Sequence, residues 1–178
     1  MTTLAQDEQK KRMSAPPTPD TLREIGLFGA LSDDVLQWMS NTVPVVVYGA
    51  GDHIFREGDQ AREMFVVLGG EVEVYKKTKR GAEARVAILG PGDWFGEMSI
   101  LDCTPRSATV TAVAPARVLK LTSEVLDALY RKDLKSYALI VLNVARELSR
   151  RLRVADGIIA DFVANVTEEY VHSRSSRR

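Results

Sequence analysis

Hydrophobic and polar positions alternate with a period of two through the middle of this chain, then switch to a helical period towards its end. The period-two runs cover residues 43–48, 53–56, 64–68, 72–75, 85–89, 108–114 and 117–122. Turn-forming clusters separate them: Gly49-Ala50-Gly51-Asp52, Glu57-Gly58-Asp59, Gly69-Gly70 and Gly90-Pro91-Gly92-Asp93. Short strands spaced in this way predict an antiparallel β sandwich or jelly roll. Gly51, Gly58 and Gly70 read as ordinary hairpin turns. Ahead of the strands, Leu22, Ile25, Leu27, Phe28 and Leu31 predict a helical stretch from Asp20. A second helix carries Val35, Leu36, Trp38 and Met39, with Ser32 placed to cap it and Asp33 and Asp34 at its positive end. After Ser123, the spacing of Val125, Leu126, Leu129 and Tyr130 predicts a short helix, and a long one follows over residues 134–170. The fold class is α+β: an antiparallel β-roll flanked by N-terminal helices and a long C-terminal helix.

Composition adds boundaries and exclusions. Residues 1–19 are polar and end in Ala15-Pro16-Pro17-Thr18-Pro19, which predicts a flexible arm. The β domain with its short helices then occupies 20–133, the long helix 134–170, and a flexible tail 171–178. The 178 residues hold 24 Lys plus Arg against 24 Asp plus Glu, so no net field draws the chain to nucleic acid or anionic membrane. One cysteine, Cys103, excludes an intramolecular disulfide and favours a reducing compartment. No apolar run approaches the ~18 residues of a membrane span, and the N-terminus lacks the apolar core of a signal peptide. Cytoplasmic residence is expected. His53, in a turn region, and His172, in the tail, form no metal cluster, and no histidine accompanies Cys103 to activate it. Neither a catalytic residue, a metal ligand nor a cofactor is expected, and the chain reads as a binding protein rather than an enzyme.

The chemistry concentrates in Phe95-Gly96-Glu97-Met98-Ser99-Ile100-Leu101-Asp102-Cys103-Thr104-Pro105-Arg106-Ser107-Ala108. A glycine leading into a short helical turn offers backbone N–H groups to an anion. Arg106 adds a permanently charged fork that matches two phosphate oxygens. Glu97 beside such a seat suits a sugar hydroxyl. The segment reads as a phosphate-and-ribose pocket.

These residues resemble the phosphate-binding cassette of the cyclic nucleotide-binding domain family, which reads F-G-E-hydrophobic-small-hydrophobic-hydrophobic, a few variable residues, then P-R-[AST]-A. The glycine turns in GAGDHIFREGD and VLGGEVEV fit the same family, and the resemblance covers roughly residues 22–165. It implies a double-stranded β-helix in which Glu97 accepts from the ribose 2′-hydroxyl and Arg106 pairs with the cyclic phosphate. The turn from Gly96 through Glu97 and Met98 to Ser99, the N–H of Ala108 and the hydroxyl of Ser107 complete the implied cradle.

Along the long helix, Ala145, Leu148, Leu152, Ala155, Ile159, Phe162 and Val166 alternate spacings of three and four. That is an a/d heptad stripe, which predicts parallel pairing in a homodimer ahead of the alternative that the whole stripe packs within the chain. A second stripe, Ile140, Val141 and Val144, is expected to pack the helix onto the β domain. Gly157 interrupts the helix at a cost of about 1 kcal/mol relative to Ala. Ser149-Arg150-Arg151-Leu152-Arg153-Val154-Ala155-Asp156 also resembles the start of the dimer helix in the bacterial catabolite activator family, where two adjacent hydroxyl residues reach the adenine. Here Ala155 and Asp156 stand at those positions, so the base contacts depart from the family pattern. Asp156 suits an exocyclic amine of either purine, Arg151 faces the pocket in this reading, and Ser107 is compatible with cAMP.

In the activator family a winged helix-turn-helix follows the dimer helix. Here only about a dozen residues follow the seam, and no kinase, channel or cyclase segment is present. The expectation is a stand-alone regulatory module that takes cAMP ahead of cGMP, does not contact nucleic acid, and signals to a separate effector protein. The alternative is a ligand-independent scaffold on the same fold. The intact Glu97 and Arg106 weigh against it, since a buried Arg–Glu pair is costly to retain without a ligand.

Overall fold

Each predicted strand recurs in the computed structural model, which describes the backbone of residues 12–175 and the side chains of residues 14–166. The strands are β1 (Arg12–Met13), β2 (Val45–Tyr48), β3 (His53–Phe55), β4 (Glu63–Gly69), β5 (Val72–Lys77), β6 (Glu83–Leu89), β7 (Trp94–Phe95), β8 (Thr109–Ala112) and β9 (Ala116–Thr122). The helices are α1 (Pro19–Arg23), α2 (Asp33–Thr42), α3 (Met98–Leu101), α4 (Ser123–Lys132) and α5 (Leu134–Ser175), with a 3-10 turn at Gly26–Phe28. The chain divides into two units, one up to Ile140 and one from Val141 onward.

In the first unit the strands form a five-stranded sheet, β1-β2-β9-β4-β7, and a four-stranded sheet, β3-β8-β5-β6, antiparallel throughout. One buried cluster joins them, with Val46, Phe65, Val67 and Val118 from the larger sheet and Val72, Val110 and Ala112 from the smaller. Period-two alternation produces this core because every second side chain of a strand faces the same side. The longest ladder, β4 with β9, runs from Glu63 opposite Thr122 to Gly69 opposite Arg117 and places Glu63 beside the start of α4. At the β4–β5 turn Gly70 has φ +78°, and a Cβ there would lie 2.3 Å from the carbonyl oxygen of Pro115. It is therefore more than an ordinary hairpin glycine: the backbone of a neighbouring segment fills its side-chain space.

Several expectations need correction. The flexible arm expected over residues 1–19 is structured in its second half. Arg12 and Met13 pair with Val47 and Val46 of β2, and the Ser40 hydroxyl donates to the Pro17 carbonyl at 2.6 Å. Residues 1–11 lie outside the described residues. Ser32 sits at the N-cap of α2 without a side-chain cap bond, whereas Thr18 does cap α1, accepting from the Thr21 N–H. His53 belongs to strand β3, where its Nδ1 lies 2.9 Å from Thr111 Oγ1, rather than to a turn. The long helix continues to Ser175, so 171–175 is helix rather than tail, and 176–178 fall outside the described residues. Asp133 starts that helix by accepting from the N–H groups of Lys135 and Ser136 and from the Ser136 hydroxyl. Of the second apolar stripe, Ile140 and Val144 are buried, but Val141 is exposed.

Candidate functional site

Arg106 is the centre of the cassette, and the fold fixes it from both ends. Its N–H donates to Asp59 O at 2.9 Å, and its carbonyl accepts from Gly58 N at 2.9 Å. The loop between β3 and β4 thus holds the cassette backbone. The side chain runs inward onto two phenylalanines: the guanidinium carbon lies 4.0 Å from the Phe55 ring centre and 5.8 Å from that of Phe65, which stacks on Phe95 at 5.4 Å. Such a face attracts a cation but gives it no hydrogen-bond acceptor.

The residue is only 3% exposed, which is expensive for a cation unless its donors find partners. Nη1 donates to the Gly96 carbonyl at 2.9 Å, and Nη2 donates to Glu63 Oε1 at 3.3 Å. Nε is buried and has no hydrogen-bond partner among the described residues. Burial pushes the guanidinium below the ordinary arginine pKa, and the carboxylates of Glu63, then Asp59 and Glu97, push it back up. Close by, burial raises the Tyr48 phenol to about 12, with Glu63 adding to the rise. A buried, permanently charged fork with a donor left over has the chemistry to pair with an oxyanion.

Gly96 has φ +79°, and a Cβ there would fall 2.6 Å from Arg106 Nη1. The glycine is required by conformation and by close approach together. Glu97 is buried, opens the four-residue α3, and is followed by exposed Met98 and buried Ser99. Ser107 is exposed, and its hydroxyl lies 3.7 Å from the Met98 sulfur. Ala108 follows, half-buried. The structure therefore gathers Gly96, Glu97, Met98, Ser99, Arg106, Ser107 and Ala108 in one segment of the first unit. Arg151 and Asp156 stand on the second unit. There Arg151 Nε donates to Glu147 Oε1 at 3.0 Å and Arg150 pairs with Glu147 Oε2 at 2.7 Å, while Asp156 is exposed.

Residues outside the cassette complete the site, and sequence reasoning did not find them. Phe55 and Glu63 contact the guanidinium, and Lys76 Nζ donates to the Ser107 carbonyl at 3.2 Å. A cavity of about 800 Å³ lies alongside, with Arg62, Glu63, Ser99, Cys103 and Ser123 in its wall. Among the described residues no group of three or more His, Cys, Asp or Glu is placed to hold a metal ion. None of their helices is long and apolar enough to cross a membrane.

A two-sheet β-roll that sets a buried arginine against a left-handed glycine, with a buried glutamate next in sequence, is an arrangement that can accommodate an organic phosphate. Comparison with known proteins carries this to the family. The sequence profile of the Cyclic nucleotide-binding domain matches residues 45–133, and the chain belongs to that family. The chain is 40% identical over 110 residues to the Cyclic AMP receptor protein of Thermus thermophilus, covering 62% of this chain and 49% of that protein. The crystal structure of Thermus thermophilus Catabolite Activator Protein superposes with a TM-score of 0.68 at 34% identity, over 78% of this chain and 63% of that one. The regulatory domain of Toxoplasma gondii PKA, crystallised with cAMP, gives a TM-score of 0.57 at 30% identity, over 72% and 46%. The chain thus spans about half the length of the Thermus receptor.

Proposed function

We propose that this chain is a regulatory module that binds cAMP, with cGMP as the weaker ligand, and acts by binding rather than catalysis in the cytoplasm. The observation that carries the reading is Arg106, buried, seated against Gly96, and left with an orphan Nε donor. The cyclic phosphate pairs with Arg106 and with the turn from Gly96 through Met98 to Ser99, helped by Ser107 and Ala108. The ribose hydroxyl donates to Glu97. Arg151 and Asp156 close on the base, where Asp156 accepts from the exocyclic amine. The similarity to proteins whose names and titles specify cAMP supports that base.

The same reading makes the module a homodimer through Ala145, Leu148, Leu152, Ala155, Ile159 and Phe162. Leu152, Ile159 and Phe162 are 61%, 60% and 68% exposed in the single chain, which supports a partner helix on that stripe. Val154, Ile158 and Val163 are exposed off the stripe and offer a surface to a separate effector protein.

Calorimetric titration of the purified chain with cAMP and cGMP tests the function. Binding to the folded state alone stabilises it by RT ln(1 + [L]/Kd), about 2.7 kcal/mol at a hundredfold excess over Kd. Arg106→Ala is expected to remove both the heat and the thermal shift. Absence of heat and stabilisation with the wild-type chain at millimolar nucleotide refutes the proposal and favours the scaffold.

A further inference from the structure

Glu63 is the side chain whose position the cassette does not explain. It heads β4, 43 residues from Arg106 in sequence, yet its carboxylate accepts from the guanidinium. The contact with Nη2 is 3.3 Å, longer than the ~2.7–2.9 Å usual for a charge-assisted pair, and the Glu63 side chain is 28% exposed. Asp59 and Glu97 also act on Arg106, so an arriving phosphate would be the fourth negative group around one cation. A phosphate paired with the guanidinium that Glu63 already contacts is repelled by that carboxylate.

Glu63 has somewhere to go. It faces the cavity of about 800 Å³, whose wall also carries Arg62 and the hydroxyl residues Ser99 and Ser123. Its second oxygen, Oε2, already lies 3.4 Å from the backbone nitrogen of Arg62, which donates to it. The wall of this cavity thus brings the residue Arg62, two hydroxyl side chains and open space beside the Glu63 carboxylate.

We infer that Glu63 competes with the phosphate for Arg106 and changes partner from Arg106 to Arg62 when the anion is seated. Ligand affinity is then set partly by an exchange outside the cassette: Glu63 lowers it, and Arg62 restores it by receiving the displaced carboxylate. The inference rests on the reading that the cassette takes a phosphate-bearing ligand.

The test uses Glu63→Gln, Arg62→Ala and the double variant of the full chain. In calorimetry with cAMP, Glu63→Gln is expected to bind about tenfold tighter, the size of a partly screened repulsion between near neighbours. Arg62→Ala, at an exposed position that keeps the test available if the other variant misfolds, is expected to bind more weakly. In the double variant the Arg62 substitution should lose its effect, because the two residues act through one exchange. Unchanged or weaker binding by Glu63→Gln overturns the inference, as does an Arg62→Ala effect that persists in full when combined with Glu63→Gln. A second arm uses inorganic phosphate alone: it should raise the Tm of Glu63→Gln by more than that of wild type. If wild type binds no cyclic nucleotide while this phosphate difference is seen, the ligand assignment fails and the exchange stands. Equal phosphate-induced rises in the two proteins overturn the exchange itself.

Discussion

Replacing Gly96 with alanine gives the sharpest test of how the cassette is assembled. Two separable penalties arise. The first is conformational, since an L-residue at φ +79° costs about 1–2 kcal/mol. The second is steric: the new methyl would lie 2.6 Å from Arg106 Nη1 and 3.4 Å from both Arg106 Cζ and the Phe55 ring. Arg106 must then retreat in a space where it is almost fully buried, and its charged hydrogen bond to the Gly96 carbonyl is lost or bent. A bond of that kind contributes about 1.5–3 kcal/mol. Together these give a loss of about 3–5 kcal/mol, which corresponds to a Tm decrease on the order of 10 °C for a chain of this size. Gly92 provides the control, because it too has positive φ, +91°, but nothing lies within 4 Å of where its methyl would stand. Gly92→Ala should show the conformational penalty alone. Thermal unfolding followed by circular dichroism, with calorimetric titration of cAMP beside it, compares the two. The expected pattern is a larger loss of stability in Gly96→Ala and a fall of at least about a hundredfold in its affinity, with Gly92→Ala retaining ligand. Equal stabilities for the two variants, or wild-type affinity in Gly96→Ala, would refute the packing argument.

Three further outcomes follow from the structure. Gly70→Ala would place a methyl 2.3 Å from Pro115 O and 2.8 Å from Ala116 Cα, both backbone atoms that cannot step aside; urea unfolding should show a loss above about 3 kcal/mol with affinity per folded molecule unchanged, and a loss below about 1 kcal/mol contradicts it. The folded state holds the Tyr48 phenol neutral up to about 12, against about 10 in an unfolded chain, so its contribution is complete below about pH 10 and disappears as pH rises to about 12. Tyr48→Phe should therefore lose less stability than wild type across that window, and parallel pH profiles would exclude the effect. Phe162→Glu on the exposed stripe of α5 should convert a dimer to a monomer in analytical ultracentrifugation, whereas an unchanged sedimentation coefficient removes the heptad reading.

The cassette was legible in sequence because its chemistry is local: Gly96, Glu97 and Arg106 lie within eleven consecutive residues, and glycine declares the backbone shape it permits. Strands were legible where they are long enough to alternate, as in β4, β5 and β9. β7 was not, because Trp94 and Phe95 are too few to display a period, and their pairing with Val66 and Phe65 comes from register. β1 was hidden for a similar reason, since Arg12 and Met13 join the sheet through backbone bonds that composition does not record. Glu63 could not be assigned to Arg106 from sequence, because only the folding of β4 beside β7 and β9 brings it to the cassette. Ser32 shows the converse: a residue type suited to capping occupies the right position and makes no cap bond, while Thr18 does.

The pairing of Arg12 and Met13 has a consequence for how the molecule behaves in a crowded solution. β2 is Val-Val-Val-Tyr, a run whose free side would offer an unsatisfied row of amide and carbonyl groups to any passing strand. Two backbone pairs and the bond from Ser14 N to Val45 O close that row within the chain. Trimming the protein back to Ala15 would leave the β-roll core and the arginine seat intact while uncovering a sticky border. The damage would be colloidal: well-folded molecules that zip together sheet to sheet and leave solution.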